Sequence, residues 1–257
     1  MTDSSPDQSK STSWDNCLKN IATYPVQGQL FRVVESQEQI ATNSLVDNLQ
    51  EQEALEQLLE ISKPDKPAGT EQLHYPLATP FRYPPLKHGS RFGQKFEPSL
   101  LYGSQQLSTA IAETAYYRFL FWQGMITPPP AALITQHTIF DINYSTDKGL
   151  QLQQPPFVQH STRLTQPTDY VETQKLGSAM RQVNVEAFEF ISARDPDQGI
   201  NVGLFSPAAL SSRKPRSQQS GLCQTSAEGV WFSTANGNRN GQTSLYQFDN
   251  RHFIAER

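Results

Sequence analysis

Only two cysteines, Cys17 and Cys223, occur in 257 residues. That excludes a disulfide framework, and the pair lacks the spacing of a thiolate metal site. The five histidines, His74, His88, His137, His160 and His252, never fall at HxxxH or HExxH spacing, so no metal is expected. The chain contains no GxSxG nucleophile elbow and no GxxxxGK[ST] phosphate loop. Positive charge is scarce as well. Lys and Arg number 21 against 25 Asp and Glu, for a net charge of −4. No broad basic face for direct nucleic-acid binding is expected, and the basic run 212–216 reads as a solvated loop. No apolar run approaches the roughly 20 residues that cross a bilayer, and the N-terminus shows no charged region followed by an apolar signal core. The expectation is a cytoplasmic protein in a reducing compartment, without membrane attachment.

What is present is a polar chain, with a hydrophobic fraction of 36% and a mean hydropathy of −0.57. Its length suits one sizeable domain with a filled core, or two small ones. Residues 1–16, MTDSSPDQSKSTSWDN, are mostly Ser, Thr, Asp and Gln, the composition of a disordered tail. Residues 17–70 read as a mainly helical extension and linker. Within 30–61, Leu45, Leu49, Leu55, Leu58, Leu59 and Ile61 recur at steps of three and four, which predicts an amphipathic helix with one buried stripe. The start of that stretch, 29–35, is ambiguous between strand and helix. The prolines and Gly69 in 63–69 mark a linker. Residues 71–257 form the main domain.

In that domain Pro80, Pro84 and Pro85 predict an extended strand or turn over 79–85. A glycine-flanked turn follows at 88–93 and a short strand at 100–103. A helix is predicted over 104–122, with Ser104 as its N-cap. Further strands are expected at 132–140, 187–191 and 201–205, a polar loop at 151–166, and a helix from Asp169 to about Gln182. Strands 229–233 and 244–248 form a C-terminal hairpin around the loop 236–241. Strands and helices do not alternate regularly, so the class is α+β.

The candidate chemistry lies in a dispersed polar set: Arg82 beside Tyr83, then Arg91, Tyr102, Glu113, Ser192 and Asn201. Two arginines with one carboxylate and several neutral hydrogen-bonders suit a ligand carrying a diphosphate and a ribose. Guanidinium groups grip phosphate oxygens in pairs and stay charged at any physiological pH. Taken singly, each residue also has an ordinary reading. The arginines could form structural ion pairs, Glu113 could be a solvated helical residue, Tyr102 a core aromatic, and Ser192 a strand end.

The blocks TPFRY, GSRFG, LLYGS, AIAETAYYR, ISARDP and NVGLF, read together between Tyr75 and Pro207, resemble the RES-domain family of bacterial toxins. The Arg, Glu and Ser that name the family match Arg82, Glu113 and Ser192. Its second arginine and its tyrosine match Arg91 and Tyr102, with successive members of the set Arg91, Tyr102 and Glu113 eleven positions apart. Many members carry Asn where this chain has Gly93, which puts one ligand contact in doubt.

The resemblance implies a mixed-sheet core like that of diphtheria-toxin-like ADP-ribosyltransferases, here with the N-terminal helical extension added. It implies NAD+ as a substrate rather than a bound cofactor, cleaved at the nicotinamide–ribose bond. Inorganic phosphate or water would be the acceptor, with a host protein as the alternative, and no metal would be needed. It also implies a cognate antitoxin with a helix-turn-helix region that blocks the site, and it leaves a homo-oligomer open. On this reading Arg82, Glu113 and Ser192 are catalytic, and Arg91, Tyr102, Tyr83 and Asn201 bind substrate. A catalytically silent antitoxin-binding module is the competing reading, against which the retained polar set argues.

Overall fold

The computed structural model describes residues 14–19, 21–36, 48–235 and 243–249. Most of the expected tail, Leu45 and the hairpin loop 236–241 lie outside the described residues. Trp14, expected within the tail, instead begins helix α1 (Trp14–Lys19) and is buried.

Of the predicted helix over 30–61, residues 37–47 lie outside the described residues, and the two described parts differ. Residues 30–35 belong to strand β1 (Tyr24–Glu35), which pairs antiparallel with β3 (Leu133–Gln151) from Tyr24↔Gly149 to Glu35↔His137. Two adjacent β-branched residues, Val33 and Val34, favour the pleated backbone once a partner strand is at hand. The rest of the prediction survives as α2 (Leu49–Ser62), capped by Asn48, whose Oδ1 accepts from the Gln50 and Glu51 amides at 3.0 Å. The expected buried stripe does not form, because Leu58 and Ile61 stay exposed.

A second difference concerns 79–85. Residues 75–82 form helix α3 (Tyr75–Arg82) with Pro80 inside it. The helix is only eight residues long, and Pro76 already sits in its first turn. The missing Pro80 N–H therefore removes one hydrogen bond rather than interrupting a long ladder. Strand β2 (Leu101–Ser104) then leads into α4 (Leu107–Gln123), whose N-cap is Gln106 without a side-chain bond. Ser104 thus belongs to the strand and is not the helix cap.

The chain continues through a 3-10 turn (Phe157–His160) and two helices, α5 (Ser161–Leu164) and α6 (Val171–Gln182), to strands β4 (Ala187–Ile191) and β5 (Ile200–Leu204), and after a second 3-10 turn (Pro207–Ala209) to β6 (Ser217–Thr225), β7 (Gly229–Ala235) and β8 (Thr243–Asp249). All eight strands form one sheet in the order β1-β2-β5-β4-β3-β6-β7-β8, and β1 also pairs with β3. Five strands therefore close on themselves while β6, β7 and β8 extend outward. Only β3 and β4 run parallel. The segment expected as a separate helical extension supplies a strand of this ring.

Three apolar clusters follow from the alternation of side chains along paired strands. Leu30, Leu101, Phe140, Ile142, Ala187, Val202 and Leu204 pack together, joined by Leu77 and Phe81 of α3. Phe188 and Phe190 of β4 pack with Phe92 and with Leu176 and Met180 of α6. Ile111, Ala115 and Phe119 of α4 rest on Cys223, Val230 and Phe232 of the extension. The second and third clusters seat α6 and α4 on either side of the polar group described next.

Candidate active site

Glu113 lies on α4 between the buried Ile111 and Ala115, and it is half-buried. Its Oε1 accepts two hydrogen bonds of 2.6 Å, one from Ser192 Oγ and one from Asn201 Nδ2. Among the described residues nothing bonds Oε2. One carboxylate oxygen is thus fixed by two protein donors.

The two donors come from neighbouring strands. Asn201 on β5 is paired with both Phe190 of β4 and Ser104 of β2, so these three side chains share a face. Ser104 Oγ donates to Asn201 Oδ1 at 2.6 Å. Ser192 directly follows β4 and is 3% exposed. Its Oγ accepts from the Arg194 and Asp195 amides at 3.1 and 3.0 Å. With both lone pairs occupied and its proton given to Glu113, the Ser192 hydroxyl has no capacity left for attack on a substrate.

Asp195 builds the turn that holds Ser192. Its carboxylate accepts from Thr109 Oγ1 at 2.6 Å, the Asp197 amide at 3.1 Å and the Gly199 amide at 3.3 Å. Thr109 precedes Glu113 by one helical turn, so α4 is locked to the 193–199 turn on the face that carries Glu113. A Cβ on Gly199 would lie 2.0 Å from Thr109 Oγ1, so close approach requires glycine there.

Cationic and aromatic groups border the carboxylate. Arg91 Nη1 donates to the carbonyls of Gln166 at 2.8 Å and Leu164 at 3.2 Å. Its guanidinium lies 4.6 Å from the Tyr170 ring centroid. The buried Arg194 donates to the Pro167 carbonyl and to the Tyr170 hydroxyl, and lies 3.6 Å from the Tyr116 ring centroid. Tyr117 is half-exposed, but its hydroxyl end is shielded against Tyr170. That shielding, then the neighbouring Tyr170 and Glu113, push its phenol well above the usual range. Arg91 thus lies over Tyr170, which shares a hydrogen bond with Tyr117, and Tyr117 stands one helical turn beyond Glu113 on α4.

Tyr102 supports the turn that carries Arg91. Its hydroxyl accepts from the Phe92 amide at 2.9 Å and meets Ser90 Oγ at 3.0 Å. Burial pushes this phenol up to about 12, offset in part by Ser90, Phe92, Arg91 and Arg181. Gly89 takes φ +73, and the Ser90 amide donates to the Gly93 carbonyl at 2.7 Å. A side chain in place of Gly93 would press on Ser90 Oγ at 3.0 Å and on Leu100. The glycine that departs from the usual family residue is thus fitted to this turn.

The structure brings Glu113, Ser192 and Asn201 into direct contact, with Tyr102 and Arg91 alongside. It does not bring Arg82 or Tyr83 there. Arg82 is turned toward α2, donating to Glu60 at 2.8 Å and to the Pro64 carbonyl at 2.6 Å. Tyr83 caps α3 near Lys63. Arg82, expected to be catalytic, braces α3 against α2 in this structure, with its guanidinium bonded outside the cluster. Sequence reasoning passed over Ser104, Asp195, Arg194 and Tyr170, although the first three stand inside the LLYGS and ISARDP blocks. It also passed over Arg32 of β1, whose Nη1 donates to the Tyr102 carbonyl at 2.5 Å. Burial lowers that guanidinium to about 10, its Nε has no partner among the described residues, and no carboxylate faces it there.

A family profile, the RES domain, matches residues 66–224, more than half of the chain. The chain belongs to the RES domain family. No curated protein matches it by sequence. Among solved structures, the crystal structure of the M. tuberculosis MbcT–MbcA toxin–antitoxin complex is similar at 8% identity and a TM-score of 0.47. That match covers 80% of this chain and 91% of the other. The likeness is weak in both sequence and shape.

Proposed function

We propose that this protein is an NAD+-degrading toxin that cleaves the nicotinamide–ribose bond and passes the ribosyl carbon to inorganic phosphate or water. The observation that carries the reading is Glu113, held through Oε1 by Ser192 and Asn201 with Oε2 left open. Loss of nicotinamide leaves positive charge on the ribose, and a fixed carboxylate oxygen stabilises that charge without moving. Nicotinamide departs as a neutral molecule, so the reaction needs neither a metal nor a strong general acid.

Other side chains take parts consistent with their geometry. Glu113 Oε2 bonds the ribose hydroxyls. Arg91 exchanges its contacts with the Leu164 and Gln166 carbonyls for phosphate oxygens of NAD+ or for free phosphate. Tyr117 and Tyr170 offer ring faces beside the carboxylate. Ser192 acts through Glu113. The sheet with α4 laid across it would be a frame related to diphtheria-toxin-like ADP-ribosyltransferases. A cognate antitoxin with a helix-turn-helix region would cover the open carboxylate, a partner that rests on the family resemblance alone.

The test follows NAD+ with purified protein by mass spectrometry, with and without inorganic phosphate. Phosphate-dependent formation of ADP-ribose phosphate supports phosphorolysis, and free ADP-ribose supports hydrolysis. Intact NAD+ under both conditions, with ADP-ribose appearing on added cell protein, would replace the proposal with a protein-directed transferase.

A further inference from the structure

We infer that Ser104 is a positioning residue for the reaction. It anchors the Asn201 amide from the side opposite Glu113, and so keeps in place the donor that fixes the carboxylate. The inference rests on the proposed function for its kinetic consequence and on geometry for its physical basis.

An asparagine amide can sit in two orientations that exchange its oxygen and its NH2 group. At Asn201 one orientation gives an N–H donor to Glu113 Oε1 at 2.6 Å. The other would set two acceptor oxygens against each other at that separation, which costs the bond and adds repulsion. The carboxylate therefore sets the orientation of the amide, and on the far side Ser104 Oγ donates to Oδ1 at 2.6 Å, which holds the oriented amide in place. Ser104 is 2% exposed and Asn201 is 4% exposed, so solvent does not replace either bond.

The backbone explains why the hydroxyl stands there. Ser104 and Asn201 are directly paired residues of β2 and β5, which holds the two side chains abreast on one face. Ser104 is also the last residue of β2 before α4 carries the chain to Glu113. The donor that anchors the amide and the acid that receives it are therefore only nine positions apart, joined by the bend 105–106 and the start of α4. On the other flank Ser192 gives its only proton to the same Oε1. The two donors together keep Oε1 inward and turn Oε2 toward the ligand. Ser104 is thus the outer anchor of a short chain of hydrogen bonds that ends at the proposed catalytic carboxylate.

Kinetics and side-chain exchange test this together. Ser104→Ala should lower kcat for NAD+ by about tenfold and leave KM within about twofold, because the oriented oxygen acts on the transition state. In an Asn201→Ala background the same change should cost less than about twofold, because there is no amide left to anchor. Losses that multiply in the double variant would overturn the anchoring role and leave Ser104 a merely structural residue. The second measurement needs no turnover. In the wild type the Asn201 side-chain amide protons should exchange with solvent at least about tenfold more slowly than those of the exposed Asn184. Ser104→Ala should remove that protection, and equal exchange at Asn201 and Asn184 in the wild type would overturn the inference even where the variant fails to fold. If wild-type protein releases no nicotinamide, the reading of the reaction falls, and the exchange experiment still decides the role of Ser104.

Discussion

Glu113 is a helical glutamate whose two oxygens have different duties, and that asymmetry carries the functional reading. Ser192 is the sharper case at this scale. A serine in a family-defining position invites a nucleophilic role, yet its hydroxyl accepts two backbone amides and donates to Glu113. Ser192→Ala should therefore weaken catalysis without abolishing it, lowering kcat by about 10- to 100-fold. No covalent ribosyl-serine should appear by mass spectrometry of the trapped protein, and finding one would restore a nucleophilic serine. The sequence made Glu113, Ser192 and Asn201 legible because each stands in a short block of recognisable order. It did not show that Ser104 and Asp195 organise them, since a strand-end serine and a turn aspartate carry no signal until β2, β4 and β5 lie side by side.

The packing of elements explains why Arg82 stands away from the cluster. Arg82 ends α3, and the direction of its side chain depends on where α2 packs, which no local pattern in TPFRY encodes. Its pairing with Glu60 is largely exposed on the glutamate side. Arg82→Ala should cost less than about 1 kcal/mol of stability and leave NAD+ turnover within about twofold. A loss as deep as that of Glu113→Gln would return Arg82 to the catalytic set. The turn 193–199 makes the opposite prediction. Gly199→Ala would force Thr109 and Asp195 apart at a contact of 2.0 Å, costing about 2 kcal/mol. It should also reduce turnover, because α4 and Ser192 would no longer be locked together. Chemical denaturation alongside turnover would check both parts. The segment 29–35, left open between strand and helix by its sequence, teaches the same lesson. Val33 and Val34 suit a strand, but only the eleven-position pairing with β3 decides it.

At the scale of the whole molecule, the closed ring buries titratable groups whose protons couple folding to pH. Burial, then the charge of Arg118, lowers His137 from 6.5 to about 4. Between those values the unfolded chain binds more protons than the folded one, so stability should fall as pH drops from 6.5 toward 4. Burial raises Tyr102 from 10.0 to about 12, so the folded chain holds its proton longer and stability should fall again as pH rises through that interval. Thermal melts across pH should show a plateau between the two flanks, and His137→Phe should flatten the acid flank. An acid flank unchanged in that variant would remove His137 from the account. The α+β class was legible from irregular spacing of strands and helices. Closure of five strands into a ring was not, because it depends on β1 pairing with both β2 and β3.

The central claim is that an open oxygen on a fixed Glu113 breaks the nicotinamide–ribose bond. The most direct measurement compares nicotinamide release from NAD+ by wild type and Glu113→Gln, with matched melting curves. The account predicts steady release by the wild type and a loss of at least about 100-fold in the variant at unchanged stability. Equal release by the two proteins would contradict it.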